Sequence, residues 1–433
     1  MFDQNIAIAI LLCAFVFMIL VKVPVTFALG VSTALTMFYC HIPLMALVQQ
    51  MAKAINSFSL MAIPFFILCG EIMGAGGIST RMLRFANVFV GHMRGGLAQV
   101  NCLASAFFGH LSGSAVADVS SLGTILIPMM KKAGYDDDFA VGITVTSSCE
   151  GILIPPSHNM IMFSVAAGGL SVGRLFMAGL APGLMLCVLL MIVCAILAAK
   201  RNYPREKRVP LKEALQISKD AILALFTAVI ILVGVTAGFF TATESAAIAC
   251  IYAWIVSTFI YKELKFKDLP RIAMRTVKTL AMVFSLIAAA GAFGWMMARL
   301  QLPALITTGL LSLTDNRIII FLLINVLLLF LGCIMDMAPL ILIMTPILLP
   351  VVKSFGMDPV QFGVMLIFNL AVGLCTPPVG SALFVGCSVG KISVERTVKA
   401  MLPMYAVMII GLMLVTFVPA ISLTLPNLLY GAG

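Results

Sequence analysis

Apolar runs long enough to cross a lipid bilayer recur from one end of the chain to the other. A spanning helix needs about 20 predominantly apolar residues, and eight runs in the sequence approach or exceed that length. They cover residues 5–21, 24–40, 58–73, 175–199, 220–240, 243–261, 279–298 and 403–423. Charged residues make up only 10% of the chain, too few for the surface of a water-soluble protein. The sequence therefore predicts an all-α, polytopic membrane protein.

The basic residues are concentrated in two stretches on either side of an apolar segment. Residues 200–219 contain seven Lys and Arg and residues 262–278 contain six, whereas residues 220–261 contain none. Cytoplasmic loops of membrane proteins carry an excess of Lys and Arg. We therefore expect both stretches to face the cytoplasm. The net charge of +10 is then a signal of membrane topology, and no nucleic-acid partner is expected.

A pair of adjacent prolines interrupts an apolar segment twice. Pro155 and Pro156 lie in GILIPPSHNMIM, and Pro377 and Pro378 lie in GLCTPPVGSALF. Proline lacks a backbone N–H and clashes with the preceding helical turn, so no continuous helix can pass through either pair. The pairs are 222 residues apart, and that shift aligns 15 identical residues over positions 124–180. The chain therefore contains two copies of one interrupted element.

Each interrupted element follows two short apolar arms that are joined by a polar turn. The first pair of arms covers about 97–131 around LSGSAVAD, and the second covers about 318–352 around GCIMDMAP. Arms of roughly 16 residues form about 24 Å of helix, which is too short to cross the bilayer comfortably. We therefore predict two re-entrant helical hairpins. The alternative in each half is two ordinary spanning helices with an external loop.

These features predict a chain of two structural repeats. The first repeat covers 1–199, with its Pro-Pro-broken helix at about 138–168, and the second covers 220–433, with its broken helix at about 359–390. The basic stretch 200–219 joins them as a cytoplasmic loop. Duplicated hairpins and interrupted helices are typical of secondary transporters, which bind substrate and ions near the bilayer midplane between the repeats.

Two stretches outside the apolar runs have the composition of amphipathic helices. Residues 41–57 and 79–94 mix Met, Leu, Ile and Phe with Lys53, Arg81 and Arg84, and they are too polar and too short to span. We expect these stretches to lie along the membrane interface and to brace a wide scaffold. The alternative is that both are connecting loops.

The interruptions offer ligands for a hard cation such as Na⁺. Each proline pair leaves the carbonyl groups one turn earlier without helical N–H donors, and oxygen ligands suit hard cations. We predict two related Na⁺ sites, each between a hairpin turn and the interruption of the same half, and no other metal or cofactor. The candidate ligands are Ser112, Gly113, Ser114, Ser147, Ser148, Gly151, Pro155, Gly332, Cys333, Asp336, Gly373, Thr376 and Pro377.

The half-helices that begin after the interruptions suit an anionic substrate. Their N-termini present backbone N–H groups and the positive end of a helix dipole. Carboxylates at membrane depth are functional by default, although Asp118 and Asp336 are also candidate hairpin caps. Glu71 and Glu244 are interpreted as structural. The candidate substrate-binding residues are Asp118, Glu150, Pro156, Ser157, His158, Asn159, Pro378, Val379, Gly380 and Ser381.

Five motifs distributed along the chain carry a family resemblance. SGSAVAD, GILIPPS, SVGRLFMAGLAPG, TATESAA and GLCTPPVGSALF together resemble the large membrane (M) subunit of tripartite ATP-independent periplasmic (TRAP) transporters. The resemblance implies a multi-pass protein of the bacterial inner membrane with inverted repeats, an elevator mechanism and sodium symport. It also implies two partners, a small four-helix membrane subunit and a periplasmic substrate-binding protein.

The same resemblance implies an organic-acid substrate, either a four-carbon dicarboxylate, sialic acid or another sugar acid. This sequence departs from the family pattern at two places. His158 and Asn159 follow the first proline pair where apolar residues are expected, and Glu150 stands where a small residue is commoner. The additional polar groups favour a hydroxylated sugar acid.

Two other functions are compatible with the sequence. One is a stand-alone, ion-coupled carboxylate transporter that needs no binding protein. The other is an intramembrane aspartyl protease in which Asp118 and Asp336 form a dyad, although their flanks VADV and IMDM lack the GxGD and YD contexts of such enzymes. The eleven cysteines occur singly in apolar segments, so we interpret them as packing residues.

Overall fold

The computed structural model describes residues 3–205 and 208–431, without the side chains of residues 59, 79, 110–112 and 310–313. Within these ranges the chain is built from helices, and the β-type pairing consists of one isolated bridge between Arg94 and Arg205. Six described helices are long and apolar enough to cross a membrane, and eight when each strongly bent pair counts as one span. The prediction of an all-α, polytopic membrane protein is confirmed.

The helices follow one another with short connections. The first half contains α1 (Gln4–Leu20), α2 (Val25–Tyr39), α3 (Met45–Ile55), α4 (Ala62–Ala75), α5 (Ile78–Val90), α6 (Gly96–Ser112), α7 (Ala115–Lys132), α8 (Asp137–Ser147), α9 (Glu150–Leu153), α10 (His158–Ala166) and α11 (Val172–Lys200). The second half contains α12 (Leu211–Thr236), α13 (Ala242–Ile255), α14 (Leu269–Arg299), α15 (Leu302–Leu313), α16 (Arg317–Gly332), α17 (Met337–Ser354), α18 (Pro359–Leu374), α19 (Ser381–Gly390), α20 (Val394–Phe417) and α21 (Pro419–Tyr430).

The internal repeat is visible in the helix boundaries. Helices α7, α8 and α11 begin 222 residues before α17, α18 and α20, respectively. Ser114 and Asp336 precede α7 and α17 as N-cap residues at the same separation. Helices α6 and α7 form hairpin 1, and helices α16 and α17 form hairpin 2. Each hairpin is followed by an interrupted helix, α8–α10 in the first half and α18–α19 in the second.

Contacts along α20 show that the two repeats are inverted. Near the start of α20, Arg396 lies 3.9 Å from Asp138, which belongs to the first turn of α8. Near its end, the carbonyl of Val415 accepts a hydrogen bond of 3.0 Å from Gln361, in the first turn of α18. The 24 residues of α20 form about 36 Å of helix. The equivalent helices α8 and α18 therefore begin at opposite ends of the bundle.

A cluster of charged and aromatic side chains binds the start of α8 to the end of α11. The Tyr203 hydroxyl and the Arg201 guanidinium donate to Oδ2 of Asp136 at 2.7 and 2.8 Å. The hydrogen bond from Tyr203, followed by the contacts with Arg201, lowers the pKa of Asp136. In addition, the amide of Gly95 donates to the Pro204 carbonyl at 3.2 Å. The base of hairpin 1 therefore lies beside the basic stretch that joins the repeats.

The helices form two groups that contact each other through a few elements. Helices α1–α4 and α12–α14 pack together and are here called the scaffold group. The hairpins, the interrupted helices, α11, α20 and α21 form the second, here called the hairpin group. Helix α5 packs against both α12 and α6, and α15 packs against both α14 and α17. Each hairpin is therefore preceded by a helix that bridges the two groups.

Two boundaries differ from those expected from the sequence. Helix α12 begins at Leu211, directly after Pro210, so residues 211–219 are helical and the basic connection is shorter than 200–219. The residues that follow Pro210 include Leu, Lys, Glu, Ala and Gln, which are strong helix formers. The apolar run 403–423 is not one helix, because α20 ends at Phe417 and α21 starts at Pro419. Proline at 419 cannot continue a preceding helix.

Candidate functional site

Hairpin 1 and its interrupted helix approach each other through two glycines. A Cβ atom on Gly151 would lie 2.1 Å from the Cα atom of Gly109, so the backbones of α6 and α9 are in direct contact. The chain from 137 to 153 and the chain from 158 to 166 meet at an angle of 52°, with the proline pair between them. Proline has no backbone N–H, so the carbonyl oxygens one turn before the proline pair, beginning at Gly151, lose their helical donors. These oxygens lie beside the hairpin and are available to other partners.

Side-chain hydrogen bonds fix the turn of hairpin 1 against the second half-helix. Gly113 has a left-handed φ of +58°, a conformation that glycine adopts at low cost. Nδ2 of Asn159 donates to the Gly113 carbonyl at 2.8 Å, and a Cβ on Gly113 would lie 2.5 Å from Nδ1 of His158. His158 and Asn159, two predicted substrate-binding residues, therefore contact the hairpin turn.

The second half repeats this arrangement with different groups. A Cβ on Gly373 would lie 2.6 Å from the carbonyl carbon of Gly332, so α18 and α16 are again in backbone contact. The backbone amide of Val379 donates to the Cys333 carbonyl at 2.9 Å. In both halves, therefore, the segment after the proline pair donates a hydrogen bond to a carbonyl of the hairpin turn.

Asparagines in the first arm of each hairpin add a buried polar link to the interrupted helix. Nδ2 of Asn101 donates to Thr144 at 2.6 Å, and Ser147 donates to Oδ1 of Asn101 at 3.3 Å. In the second half, Nδ2 of Asn369 donates to Oδ1 of Asn325 at 2.9 Å. Ser147 and Asn369 are equivalent under the 222-residue shift. These asparagines were not predicted, although an Asn within an apolar arm is the signal that identifies them.

The two interrupted helices also meet each other. Sγ of Cys149 and Sγ of Cys375 are 3.1 Å apart, and both side chains are buried. The Cys149 thiol donates to the carbonyl of Ala371, and the Cys375 thiol donates to the carbonyl of Val145. Small residues at this crossing let the two halves approach closely, so the two candidate sites belong to one packed unit.

The predicted cation ligands fall into one group in each half. Gly113, Ser114, Ser147, Ser148, Gly151 and Pro155 lie at the turn of hairpin 1 or along α8–α9 and its interruption, and Gly332, Cys333, Asp336, Gly373, Thr376 and Pro377 lie at the corresponding places in the second half. Ser112 ends α6, and its side chain lies outside the described residues. The structure thus brings each hairpin turn to the interruption of the same half.

Several of these groups already make hydrogen bonds to the backbone. The hydroxyl of Ser148 donates to Val145, and the hydroxyl of Thr376 donates to Val372, both at 2.7 Å. The carbonyl of Gly373 lacks its α-helical donor but accepts a tighter-turn bond of 3.0 Å from the Thr376 amide. Hydroxyl and carbonyl oxygens have two lone pairs, so each keeps the capacity to contact a cation.

The predicted substrate-binding residues are not equally free to contact a ligand. Ser157 and Ser381 have hydroxyl groups without a hydrogen-bond partner among the described residues. Asn159 and Val379 use their donors on the hairpin turns, as described above. Pro378 and Val379 are exposed, Pro156 is buried, and Gly380 is the N-cap of α19. The hydroxyls and the exposed turn at 378–379 are therefore the better-placed groups for a ligand.

The acidic residues occupy three different environments. Glu150 is fully buried, and among the described residues its carboxylate has no hydrogen bond of standard geometry, only the neighbouring Cys187 thiol as a weak donor. Asp118 is also buried, and its Oδ1 has no such partner. Asp336 is exposed and makes no capping hydrogen bond, whereas the cap of α7 is Ser114, which accepts from Ala117. The proposed capping role of Asp118 and Asp336 is therefore not seen.

Glu71 and Glu244 have the structural roles expected of them. Glu244 forms a capping box with Thr241 at the start of α13. The carboxylate of Glu71 lies 3.9 Å from the guanidinium of Arg275 on α14. Both contacts lie within the scaffold group, and neither residue belongs to the hairpins or the interrupted helices.

The elements that form the candidate sites contain no Lys or Arg between their ends. None occurs in residues 95–130, 139–173, 318–352 or 354–390. Within the described part of the chain, no three His, Cys, Asp or Glu side chains are grouped to hold a metal ion. The donors available to a cation are therefore backbone carbonyls, hydroxyls and single carboxylates, which are hard oxygen ligands.

Comparison with known proteins agrees with this architecture. Residues 12–421 match the family described as "Tripartite ATP-independent periplasmic transporter, DctM component". The chain belongs to this family. As a TRAP large-permease component it is a membrane transport protein and not an enzyme, and the aspartyl protease hypothesis is wrong. The exposed position of Asp336 and the burial of Asp118 agree with that conclusion.

Relatives with assigned substrates cover most of the chain. The "Sialic acid TRAP transporter large permease protein SiaM" of Vibrio cholerae is 41% identical over 89% of this chain and 90% of its own length. The "C4-dicarboxylate TRAP transporter large permease protein DctM" of Rhodobacter capsulatus is 37% identical over 95% and 97%. The "2,3-diketo-L-gulonate TRAP transporter large permease protein YiaN" of Escherichia coli is 39% identical over 93% and 94%.

The fold is also similar to that of a solved membrane transporter. The YdaH transporter of Alcanivorax borkumensis superposes with a TM-score of 0.64 over 86% of this chain and 88% of that one. The sequence identity is 14%, so the similarity concerns the fold alone.

Proposed function

We propose that this TRAP large-permease component carries an organic acid into the cell with Na⁺, in complex with a small membrane subunit and a periplasmic binding protein. The acid and at least two Na⁺ ions bind between the hairpin turns and the interrupted helices. The complex lies in the bacterial inner membrane. The driving force is the sodium gradient, and no other cofactor takes part.

The charge pattern of the candidate sites carries this proposal. Asp118, Glu150 and Asp336 place three carboxylates in segments without Lys or Arg (95–130, 139–173 and 318–352), and the first two are buried. An organic acid adds further negative charge, and burying unpaired charge at membrane depth is costly. A bound cation removes that cost for the site and for the substrate together. Substrate binding therefore requires cations from solution, which is the physical basis of coupling.

The ligand chemistry favours Na⁺. The carbonyls before each proline pair, the Ser114 and Thr376 hydroxyls and the carbonyls of the hairpin turns are neutral oxygen donors. Neutral oxygens suit a monovalent hard cation, whereas a divalent ion is usually bound by several carboxylates. The equivalent positions in the two halves give two related sites, one beside Gly151 and one beside Gly373.

The relatives and the polar groups that follow the two interruptions support the substrate class. The three relatives act on sialic acid, C4-dicarboxylates and 2,3-diketo-L-gulonate, according to their names. These compounds share a carboxylate, and two of them also carry several hydroxyl or carbonyl oxygens. Ser157 and Ser381 present unpartnered hydroxyls, which favours a hydroxylated sugar acid such as sialic acid.

The two helix groups support an elevator mechanism. The hairpins and interrupted helices are joined by the Gly–Gly contacts and the Cys149–Cys375 crossing, so they move as one body. The scaffold group is a second set of helices, which meets the hairpin group directly where α14 packs on α17 and α4 on α6, and through α5 and α15. A rigid body that carries the substrate past a fixed scaffold is the arrangement that inverted repeats permit.

Proteoliposomes provide the direct test of this function. Liposomes containing this chain and the small subunit should accumulate sialic acid or a related sugar acid only with Na⁺ outside and the binding protein present. Replacing external Na⁺ by K⁺, and omitting each protein in turn, are the controls. Equal uptake without the binding protein would support the stand-alone transporter instead, and uptake without Na⁺ would contradict the coupling.

The orientation in the membrane can be tested separately. Cysteines introduced at Arg208 and Lys267, which are exposed in the basic segments, should react with impermeant thiol reagents only after cell lysis, because these segments face the cytoplasm. Arg208 is preferred to Asn202, whose φ of +54° disfavours other side chains. The chain without added cysteines is the control. Reaction of either cysteine in intact cells would reverse the orientation.

A further inference from the structure

A cavity of about 360 Å³ lies between the scaffold group and the hairpin group. The scaffold wall consists of Gln50, Lys53 and Ser57 from α3 and the chain after it, together with α14. The opposite wall consists of apolar residues at the end of α10 and in α17, among them Val165 and Leu342. The polar side chains of the lining are therefore all on the scaffold side, and the rest of the cavity wall is apolar.

Lys53 is the charged residue in the lining of this cavity. It forms no ion pair with an acidic residue in the described part of the chain. The helix that carries it is firmly placed, because a Cβ on Gly291 of α14 would lie 2.2 Å from Cβ of Ala54. The cavity thus presents one unneutralised positive charge, on an exposed lysine whose helix is fixed against α14, beside an amide and a hydroxyl.

The cavity is connected to the candidate site through the helices of its apolar wall. Leu342 is five residues after Met337, the first residue of α17, so it lies about 8 Å from the start of that helix. Ala166 is eight residues after His158, the first residue of α10, a distance of about 12 Å. Both helices begin at the hairpin turn or the interruption. Measured along these two helices, the cavity therefore lies about 8–12 Å from the hairpin turn and the interruption.

We propose that this cavity is an outer subsite, which binds the carboxylate of a hydroxylated monocarboxylic acid on its way to the site. This inference rests on the proposed function. A single lysine neutralises one carboxylate, whereas a dicarboxylate would leave its second charge against the apolar wall, at a desolvation cost. Gln50 and Ser57 supply hydrogen-bonding groups for hydroxyls, and the volume suits a small ligand of the sugar-acid class.

Chemical modification tests the charge of the cavity without reference to transport. A cysteine at Ser57 is treated in the purified complex with a sulfonated, anionic methanethiosulfonate reagent or a cationic trimethylammonium one. Relative to their rates with a simple free thiol, the anionic reagent should gain about fivefold and the cationic reagent should lose about fivefold, as expected for one charge acting across ~4 Å of water. Adding Lys53→Gln should remove the preference and Lys53→Arg should keep it. Lys353→Gln, which removes an exposed lysine far along α17, is the matched control.

Protection by substrate identifies the occupant. N-acetylneuraminate should slow the modification of the cysteine at residue 57 more than succinate at equal concentration, and Lys53→Gln should abolish that difference. The subsite is rejected if the reagents show no charge preference, if Lys53→Gln leaves the preference unchanged, or if succinate protects as well as N-acetylneuraminate. Protection by neither acid also rejects it and indicates a lipid headgroup. Sodium-driven uptake by the same preparations tests the proposed function independently.

Discussion

Alanine at Gly151 or Gly109 is expected to abolish transport, and alanine at Gly332 to reduce it only partly. A Cβ on Gly151 would lie 2.1 Å from Cα of Gly109, and a Cβ on Gly109 would lie 2.3 Å from Cα of Gly151. Carbon atoms in contact are normally about 3.5–4.0 Å apart. The obstructing atoms belong to the backbone, so no side-chain rotation relieves the overlap and hairpin 1 must move by more than an ångström.

The expected loss of stability and transport differs between the glycine positions, so the variants can be ranked in advance. A Cβ on Gly332 would lie 3.3 Å from Cα of Gly373, so a small shift accommodates it, whereas a Cβ on Gly373 would lie 2.6 Å from the carbonyl carbon of Gly332. Overpacking of this kind costs about 1–3 kcal/mol. We therefore expect Gly373→Ala to lower both the thermal midpoint and the apparent affinity for Na⁺ far more than Gly332→Ala.

A glycine in an open position provides the control. Gly30 lies inside α2, and a Cβ there would meet nothing within 4 Å. Gly30→Ala should leave uptake unchanged and stabilise the helix by about 0.5–1 kcal/mol. Uptake and thermal unfolding in detergent are measured for all five variants. Normal sodium activation in Gly151→Ala would show that the contact between hairpin 1 and the interrupted helix is not needed for ion binding.

The repeat was predictable because the residues that define it act on the local backbone. Pro155, Pro156, Pro377 and Pro378 interrupt helices wherever they occur, so their 222-residue separation identifies the two interrupted helices without knowledge of the rest of the fold. The inversion of the repeats could not be derived in this way. It depends on contacts such as Arg396–Asp138 and Gln361–Val415, which join segments far apart in the sequence.

The details of the candidate sites were less predictable for the same reason. The sequence indicated that Asn159 and Val379 would face a substrate, but each donates a hydrogen bond to a hairpin turn. Which partner a donor finds depends on the packing of the hairpin against the interrupted helix. The pairing of Asn325 with Asn369 likewise arises only in the folded chain. Composition identifies polar groups at membrane depth, and tertiary packing decides which of them are satisfied by protein.

Replacing Glu150 by glutamine is expected to stabilise the protein and impair transport at least tenfold. Glu150 is fully buried, and among the described residues only the weak thiol donor of Cys187 lies beside its carboxylate. Leaving a buried polar group unsatisfied costs about 1–3 kcal/mol, more for a charged group. Glutamine has nearly the same shape without the charge. The thermal midpoint in Na⁺-free detergent should therefore rise in Glu150→Gln relative to the unmodified chain.

Sodium should reverse that difference if Glu150 belongs to the coupling machinery. A ligand that binds only the folded state raises its stability by RT ln(1 + [L]/Kd), so Na⁺ should stabilise the unmodified chain and have less effect on Glu150→Gln, in which Na⁺ binds more weakly. Glu71→Gln is the matched control, because Glu71 is partly exposed and lies 3.9 Å from Arg275, a pair worth about 0–1 kcal/mol. An unchanged response to Na⁺ together with full uptake in Glu150→Gln would mean that the buried carboxylate takes no part in coupling. A fall in the Na⁺-free midpoint would mean that the carboxylate is satisfied within the protein, by Cys187 or by a group outside the described residues.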